Sequence, residues 1–508
     1  MKVALFVLEN AMPAMGARHV SAAVRAAGHT SNMLFLTRNF DQPETEAELK
    51  QLDDWIRSEQ PDTIGLGLMS NHLTRAIRLT GHFRKTHGIP VIWGGVHPTC
   101  APDDCIDHTD WVCVGEAEQT IVDYLGFLKS GAAGDPPPGI IGRRNGTVVR
   151  GPKPIKTENL DGIPFQDHRI ADHLILHRGR LLPMTQELMR NYIYANIGIH
   201  FIMTSRGCPR RCTFCCNDTL STACAGSRVR RRSVRNVLDE VRQALETYHF
   251  ISSFAFWDDS FLCSPPEWLE AFCTLYRTEI GLPFFCNLHS SEADERTVGM
   301  LTNAGLIGFQ MGLQTGSERV SREIFDRSLS VTECEGATRR LHAARHRVRD
   351  RHYHVIVDNP WESESDSLQT LDLLNRIPRP FHLSCLSLMV YPGSRLHAKA
   401  VREGIEAVST GDVYRREYYA YKRTYLNFLT ASTQTLPPPV IRFLAAHRHS
   451  ALIRLLFFLY YYCYRLPRYR YLNRLLLHWI QKALHHRIPR SAAARRMLLD
   501  ATIRLRPQ

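Results

Sequence analysis

Ser205 to Asp218 reads SRGCPRRCTFCCND, and this stretch decides the fold and the chemistry of the 508-residue chain. Cys208, Cys212 and Cys215 form a C-x3-C-x2-C run. Three thiolates that close together converge on one small object rather than pairing across a fold. Short Cys loops bind zinc or iron-sulfur clusters because each sulfur can turn inward while backbone N–H groups face the charge. Three ligands in place of four leave one corner of a cubane open, whereas structural zinc closes its shell. A zinc knuckle completed by Cys216 or a remote ligand is the competing reading. Arg206, Arg210 and Arg211 are expected to offset the charge of a cluster.

Composition sets the frame. At this length two or three domains are expected, and 44% hydrophobic residues suit a globular enzyme. The opening MKVALFVLEN is apolar too briefly for a signal peptide and reads as a buried strand. Fourteen scattered cysteines point to reduced thiols and a cytoplasmic setting rather than a disulfide framework. The net charge of +13 is concentrated at the end: Val440 to Gln508 holds 14 basic residues and one acid, Asp500, leaving 49 of each upstream. Such a tail bears on location or partners rather than catalysis.

Ahead of the cysteines, β-like and helical segments alternate. Strands are expected at Lys2–Leu8, Thr30–Leu36, Thr63–Leu68, Pro90–Trp93 and Trp111–Val114, with helices between them and a further helix from Glu116. This predicts a parallel sheet covered on both faces, whose ligands sit beyond the carboxyl ends of its strands. The loops there are Leu68-Met69-Ser70-Asn71, Gly94-Gly95-Val96-His97-Pro98-Thr99 and Gly115-Glu116-Ala117-Glu118. The plainer reading has His97 and Glu116 merely tying loops together by hydrogen bonds. Residues 151–194, with a Pro/Gly-rich start, read as a linker. From Ile197 the alternation resumes for six repeats, through strands at Ser253–Trp257, Phe284–Leu288, Leu306–Gly312, His352–Val357 and Leu383–Val390. A partial (β/α)6 barrel follows, with its chemistry where strands end.

The cysteine spacing, with Phe214 just before the third cysteine, resembles the signature of the radical S-adenosylmethionine (SAM) enzymes. The loops of residues 1–150 resemble the cobalamin-binding domain of one branch of that superfamily. The D-x-H-x-x-G motif that supplies a cobalt-ligating histidine in several other cobalamin proteins is absent. The resemblance implies an α/β chain in four parts: 1–150 a Rossmann-like cobalamin-binding domain, 151–194 a linker, 195–400 a radical SAM barrel, and 401–508 a basic helical region. It implies a 4Fe-4S cluster on Cys208, Cys212 and Cys215, and cobalamin near Met69, Ser70, Gly94, Gly95, His97, Thr99, Gly115 and Glu116. SAM is expected near Phe214, Asp258, Asp259, Gln314, Thr315 and Ser317. Asp259 has a rival reading as a helix N-cap, and Gln314 stands where the family commonly has glutamate. Val357-Asp358-Asn359-Pro360 and Tyr391-Pro392-Gly393-Ser394 resemble later strand-end motifs of the same domain.

The activity so implied is methyl transfer: a 5′-deoxyadenosyl radical removes hydrogen from an unactivated carbon, and methylcobalamin supplies the methyl group. A cyclisation or rearrangement on the same cofactors is one alternative, and a zinc-stapled protein that docks on membranes without turnover is another. Expected partners are a small-molecule substrate and an external electron donor. The barrel segments leave a lipid, a polyketide-like metabolite and a tetrapyrrole unranked. Nucleic acid is not expected, since no recognition module is visible. The aromatic run Leu455–Tyr464 is too short to span a bilayer. It fits a helical cap on the barrel, or a helix lying at the inner membrane face.

Overall fold

The computed structural model describes residues 1–9, 13–39, 41–192, 198–405, 413–414 and 418–464, the side chains of 459–464 excepted. The chain forms two compact units, Met1–Ile251 with Val390–Glu417, and Ser252–Met389 with Tyr418–Gln508.

In the first unit, strands β1 (Lys2–Val7), β2 (Thr30–Leu36), β3 (Thr63–Gly67), β4 (Val91–Gly94) and β5 (Trp111–Cys113) lie within a nine-stranded sheet. The hairpins β6 (Ile140–Arg144)–β7 (Thr147–Arg150) and β8 (Leu174–His177)–β9 (Arg180–Pro183) complete it, in the order β7-β6-β5-β4-β3-β1-β2-β8-β9. Both hairpins are antiparallel, and β8 joins β2 in parallel. The stretch 151–194 is therefore not a bare linker. Leu174 and Leu176 continue the apolar face of β2, and Ile175 and Leu176 are buried.

β1 pairs in parallel with β2 on one side and β3 on the other, so strand order reverses there. Ligands of doubly wound sheets bind at such a reversal, beyond the carboxyl ends. The strands read as near-continuous apolar runs because both faces are covered: Ala4, Phe6, Leu34, Ile64, Leu66, Val91 and Trp93 all lie in one core with Phe83 of the helix Leu73–His87. The helix Glu46–Glu59 starts where Thr45 and Glu48 form a reciprocal capping box.

Strand β10 (Ile199–Ile202) leads to the cysteine loop, which is framed by a two-residue antiparallel pair, β11 (Ser205–Arg206) and β12 (Arg230–Arg231). The second unit carries β13 (Ser253–Phe256), β14 (Phe284–Leu288), β15 (Leu306–Gln314), β16 (Asp350–Val357) and β17 (His382–Ser387), neighbours in sequence order and all parallel. Helices Pro266–Leu275, Glu295–Ala304, Val331–Ala343 and Glu364–Arg376 alternate with them. Helices Tyr425–Ser432, Pro438–Ala446 and Ala451–Tyr464 pack among themselves through Phe428, Leu429, Ile441 and Phe457. No described helix is long and apolar enough to cross a membrane. The basic tail from residue 465 lies outside the described residues.

Burial of histidines gives the fold an acid limit. His72, His168 and His354 are each pushed from the ordinary 6.5 to about 4, chiefly by burial. The unfolded chain takes up these protons near 6.5 and the folded chain only near 4. Stability therefore falls as pH drops across that window, by about 3 kcal/mol for the nearly inaccessible His168 alone. Thermal unfolding should move down steadily between pH 6.5 and 4; a midpoint flat across that window would contradict the burial of neutral imidazoles.

Candidate functional site

The cysteine loop is shaped by hydrogen bonds to its backbone. Arg228 donates from Nε to the Cys208 carbonyl at 2.8 Å and from Nη2 to that of Arg210 at 2.6 Å, and pairs with Asp218 at 2.9 Å. Gly207 has φ +90°, and a Cβ there would land on the Arg228 carbonyl oxygen. Cys215 N–H bonds the Cys212 carbonyl at 3.1 Å, closing the turn between the second and third thiols. Cys208 is buried, whereas Cys212 and Cys215 are partly exposed. Cys216 Sγ lies 3.9 Å from Asn217 Oδ1, and the residue precedes the helix Asn217–Ala223. Among the described residues no three His, Cys, Asp or Glu side chains are drawn in tightly enough for a single metal ion. A cubane asks less, since its ligands sit on separate irons. Three thiols on a loop with its carbonyls tied back fit such a cluster. Gly207→Ala is expected to cost about 2 kcal/mol or more through forced backbone movement, and to lower iron content after anaerobic reconstitution; iron binding equal to wild type would show that the loop tolerates the shift.

The arginines do not all act as expected. Arg206 Nη2 pairs with Glu118 at 2.5 Å, and its Nη1 lies 3.6 Å from Glu116. Arg206 thus neutralises carboxylates rather than standing as a free counter-charge to a cluster. Glu116 is further held by both terminal nitrogens of Arg230. Arg206 and its hydrogen bond keep the buried Glu118 carboxyl down at about 2, against the opposing effect of burial. Arg228, Arg230 and Arg232 alternate along one short extended segment, and so reach the cysteine loop, Glu116 and Glu240 in turn. Sequence reading missed them; the signal was an RVRRR run whose period of two was hidden by its uniform charge.

The loops expected to meet cobalamin follow β3, β4 and β5. Ser70 Oγ and His97 Nδ1 are 3.1 Å apart, joining the first two loops. Gly115 N–H donates to Thr99 Oγ1 at 3.0 Å, joining the second and third, and Thr99 Oγ1 donates to the Gly95 carbonyl at 2.7 Å. Gly95 has φ +102°, and a Cβ there would lie 2.9 Å from the Leu68 carbonyl oxygen; Gly94 closes β4 just before it. His97 is fully buried, its imidazole driven toward the neutral form, and its Nε2 has no hydrogen-bond partner. Beside it Met69 is 44% exposed. An orphaned buried nitrogen next to an open apolar side chain, at a strand-order reversal, fits a large ligand with an apolar ring and amide edges.

The Tyr391–Ser394 turn joins the two loop systems. A Cβ on Gly393 (φ +80°) would strike the carbonyl oxygen of Cys100, at the end of the His97 helix. The Gly393 carbonyl accepts from Thr219 Oγ1 at 2.6 Å, and Leu396 N–H reaches the Thr213 carbonyl at 2.9 Å. Burial and the neighbouring Cys215 raise the Cys100 thiol to about 11. Phe214 is half-buried within the cysteine loop itself.

In the second unit, Asp258 is fully buried beyond β13, and its carbonyl accepts from Asn287 Nδ2 at 3.0 Å. Asp259 is exposed, and it is not a helix cap: the next helix begins at Pro266, with Pro265 before it. Gln314 ends β15 after a register shift, in the left-handed region at φ +68°, with a buried Oε1 that has no partner. Such an acceptor suits a ligand hydroxyl or ammonium. Thr315 and Ser317 face inward instead: Thr315 meets Thr370 at 3.3 Å, and Ser317 Oγ donates to Asp366 at 2.5 Å. Asp358 accepts from Ser387 Oγ (2.6 Å), Lys422 N–H (2.8 Å) and Asn427 Nδ2 (2.7 Å), pinning the ends of β16 and β17 to the helix Tyr425–Ser432.

Comparison with known proteins assigns these parts. Residues 1–125 match the B12 binding domain and residues 202–374 the Radical SAM superfamily. A cytidylyl-2-hydroxyethylphosphonate methyltransferase from Streptomyces wedmorensis is 27% identical over 265 residues, 47% of each chain. An uncharacterized methyltransferase from Pyrococcus horikoshii is 24% identical over 274 residues, covering 52% of this chain and 54% of that one. The chain thus spans about half the length of the curated relatives it matches. In fold it is similar to the radical SAM methyltransferase TsrM from Kitasatospora setae, solved with cobalamin and a [4Fe-4S] cluster (TM-score 0.61, 15% identity, 79% of this chain and 78% of that one). It is also similar to the cobalamin-dependent SAM radical enzyme OxsB (TM-score 0.63, 16% identity, 85% and 66%). The chain thus carries a B12 binding domain ahead of a radical SAM domain, the two domains that its resemblance to the cobalamin-binding branch of the radical SAM superfamily implies.

Proposed function

We propose that the chain is a methyltransferase that places a methyl group on an unactivated carbon of a small molecule. The observation that carries this reading is that one compact unit holds both the three-thiol loop and the β3, β4 and β5 loops, tied together through Gly393. When bound, the cluster with SAM supplies a carbon-centred radical, and cobalamin supplies a transferable methyl group.

In this reading Cys208, Cys212 and Cys215 hold the cluster, with Arg228 keeping their loop in shape and Phe214 beside SAM. Gln314 offers its unpartnered oxygen to SAM, and Asp258 and Asp259 take its ammonium. Thr315 and Ser317 hold the Gln314 turn rather than touching the ligand. Met69, Gly94, Gly95, Thr99 and Gly115 line the corrin by apolar contact and close backbone approach, and His97, set by Ser70, accepts or donates through Nε2. Glu116 acts through Arg230 and Arg206. An external electron donor would supply the electron that a cluster held there needs. The relatives that carry the word methyltransferase support the reaction, although each matches only about half its own length.

Anaerobically reconstituted enzyme, given SAM labelled in its methyl group and a cell extract as substrate source, should yield a labelled small-molecule product. Substrate consumed with no label in any product would favour cyclisation or rearrangement on the same cofactors and overturn the methyltransferase reading.

A further inference from the structure

The second unit holds a cavity of about 430 Å³ of its own, beyond the carboxyl end of β16. Its wall is built where chain segments enter helices. Asn359 and Ser363 precede the helix Glu364–Arg376, Lys422 and Thr424 the helix Tyr425–Ser432, and His449 the helix Ala451–Tyr464. Three helix N-termini thus meet at one cavity, and each brings backbone N–H groups without intrahelical partners and the positive end of a helix dipole.

A buried side chain in the same wall also lacks a partner. Asn359 is 7% exposed; its Oδ1 accepts the Trp361 N–H at 3.1 Å, which leaves Nδ2 as the donor end, and that nitrogen has no hydrogen-bond partner. Two cations line the cavity with it. The Lys422 ammonium pairs with no described carboxylate, and the Arg454 guanidinium lies over the Tyr425 ring, 5.8 Å from its centroid.

The carboxylates of the wall are already engaged. Asp358 accepts from Ser387 Oγ, Lys422 N–H and Asn427 Nδ2. Glu364 accepts from Arg448 Nε at 2.6 Å and lies 3.7 Å from His449. Burial, with Asp366 nearby, raises Glu362 to about 7, so this group takes up a proton readily. The groups left over are an amide N–H, two cations and helix N-termini. A bound metal ion or ammonium would find no free carboxylate among them, whereas an anion meets a donor on every side.

We propose that this cavity binds the phosphate group of a small phosphate monoester. Three terminal oxygens match donors that arrive from three separate chain segments, where a carboxylate offers only two oxygens in one plane. Pro360 and Leu426 line the remainder and leave room for the organic part. The proposal uses nothing from the methyltransferase reading, and either can fail without the other.

Cluster- and cobalamin-loaded full-length protein, held anaerobically with excess SAM and no reductant so that the cofactor sites are filled, is mixed with glycerol 3-phosphate, glycerate or glycerol, and saturation transfer to each is measured. Glycerol 3-phosphate should show transfer that inorganic phosphate abolishes, and glycerol should show none. Its affinity should fall about a hundredfold in Lys422→Gln/Arg454→Gln, about tenfold for each charge-assisted hydrogen bond lost. In wild-type protein, glycerol 3-phosphate should also slow acetylation of Lys422, followed by mass spectrometry, a readout that needs no variant to fold. The proposal is overturned if glycerol 3-phosphate shows no transfer, if glycerate or glycerol matches it, if the double variant unfolds at the wild-type midpoint yet binds as tightly, or if Lys422 is acetylated equally fast with the ligand present.

Discussion

Alanine at Cys208, Cys212 or Cys215 should abolish the broad visible absorption and the reduced-cluster spectrum of anaerobically reconstituted protein, and bring SAM cleavage to background. The three positions should behave alike, because each variant removes one of the three thiols that hold a single cubane. Cys216→Ala should keep iron content and spectrum, since that thiol stands outside the ligand set. Full iron binding in any of the three single variants, or its loss in Cys216→Ala, would reassign the ligands. Purified variants, matched for folding by circular dichroism, suffice for the comparison.

The second large effect is expected at Glu118. Its carboxylate and the Arg206 guanidinium are mostly buried, with side-chain exposures of 12% and 18%. Glu118→Ala leaves the cation facing Glu116 alone, at 3.6 Å. Removing one partner of a buried pair costs about 3 kcal/mol, and because Arg206 lies two residues before Cys208, the cysteine loop should loosen as well. Reduced cluster occupancy together with a lower unfolding midpoint is the expected pair of results; a variant as stable as wild type would show that Glu116 and Arg230 hold Arg206 unaided. The pair also has a pH signature. The folded pKa of Glu118 is depressed, so its contribution is present above the ordinary carboxylate value of 4.5 and is lost as pH falls from there toward about 2. The wild type should show that loss and Glu118→Gln should not.

Much of this architecture could be read from the chain in advance, because the signals were local. The apolar runs at Lys2–Val7, Thr30–Leu36 and Phe284–Leu288 are strands in the structure. The misreadings had non-local causes. Leu174 to Pro183 seemed connector because two four-residue strands carry little periodicity; only pairing with β2 makes them sheet. Arg206 read as a counter-charge because its carboxylate partners lie 88 and 90 residues earlier in the chain. The plain reading of His97 as a loop tie proved right for Nδ1, whereas its orphaned Nε2 could be found only by locating every atom around it.

The return of Val390–Glu417 to the first unit has a consequence for biosynthesis. Every residue of the three-thiol loop has left the ribosome long before Gly393, the residue that seats it against Cys100, is made. At roughly 5–20 residues per second, the 178 residues from Cys215 to Gly393 delay closure of the unit by on the order of ten seconds. Nascent thiols wait through that interval without their finished cradle, so metal loading belongs after translation, and a chain cut short at residue 389 would possess the whole signature motif yet lack the turn that seats it.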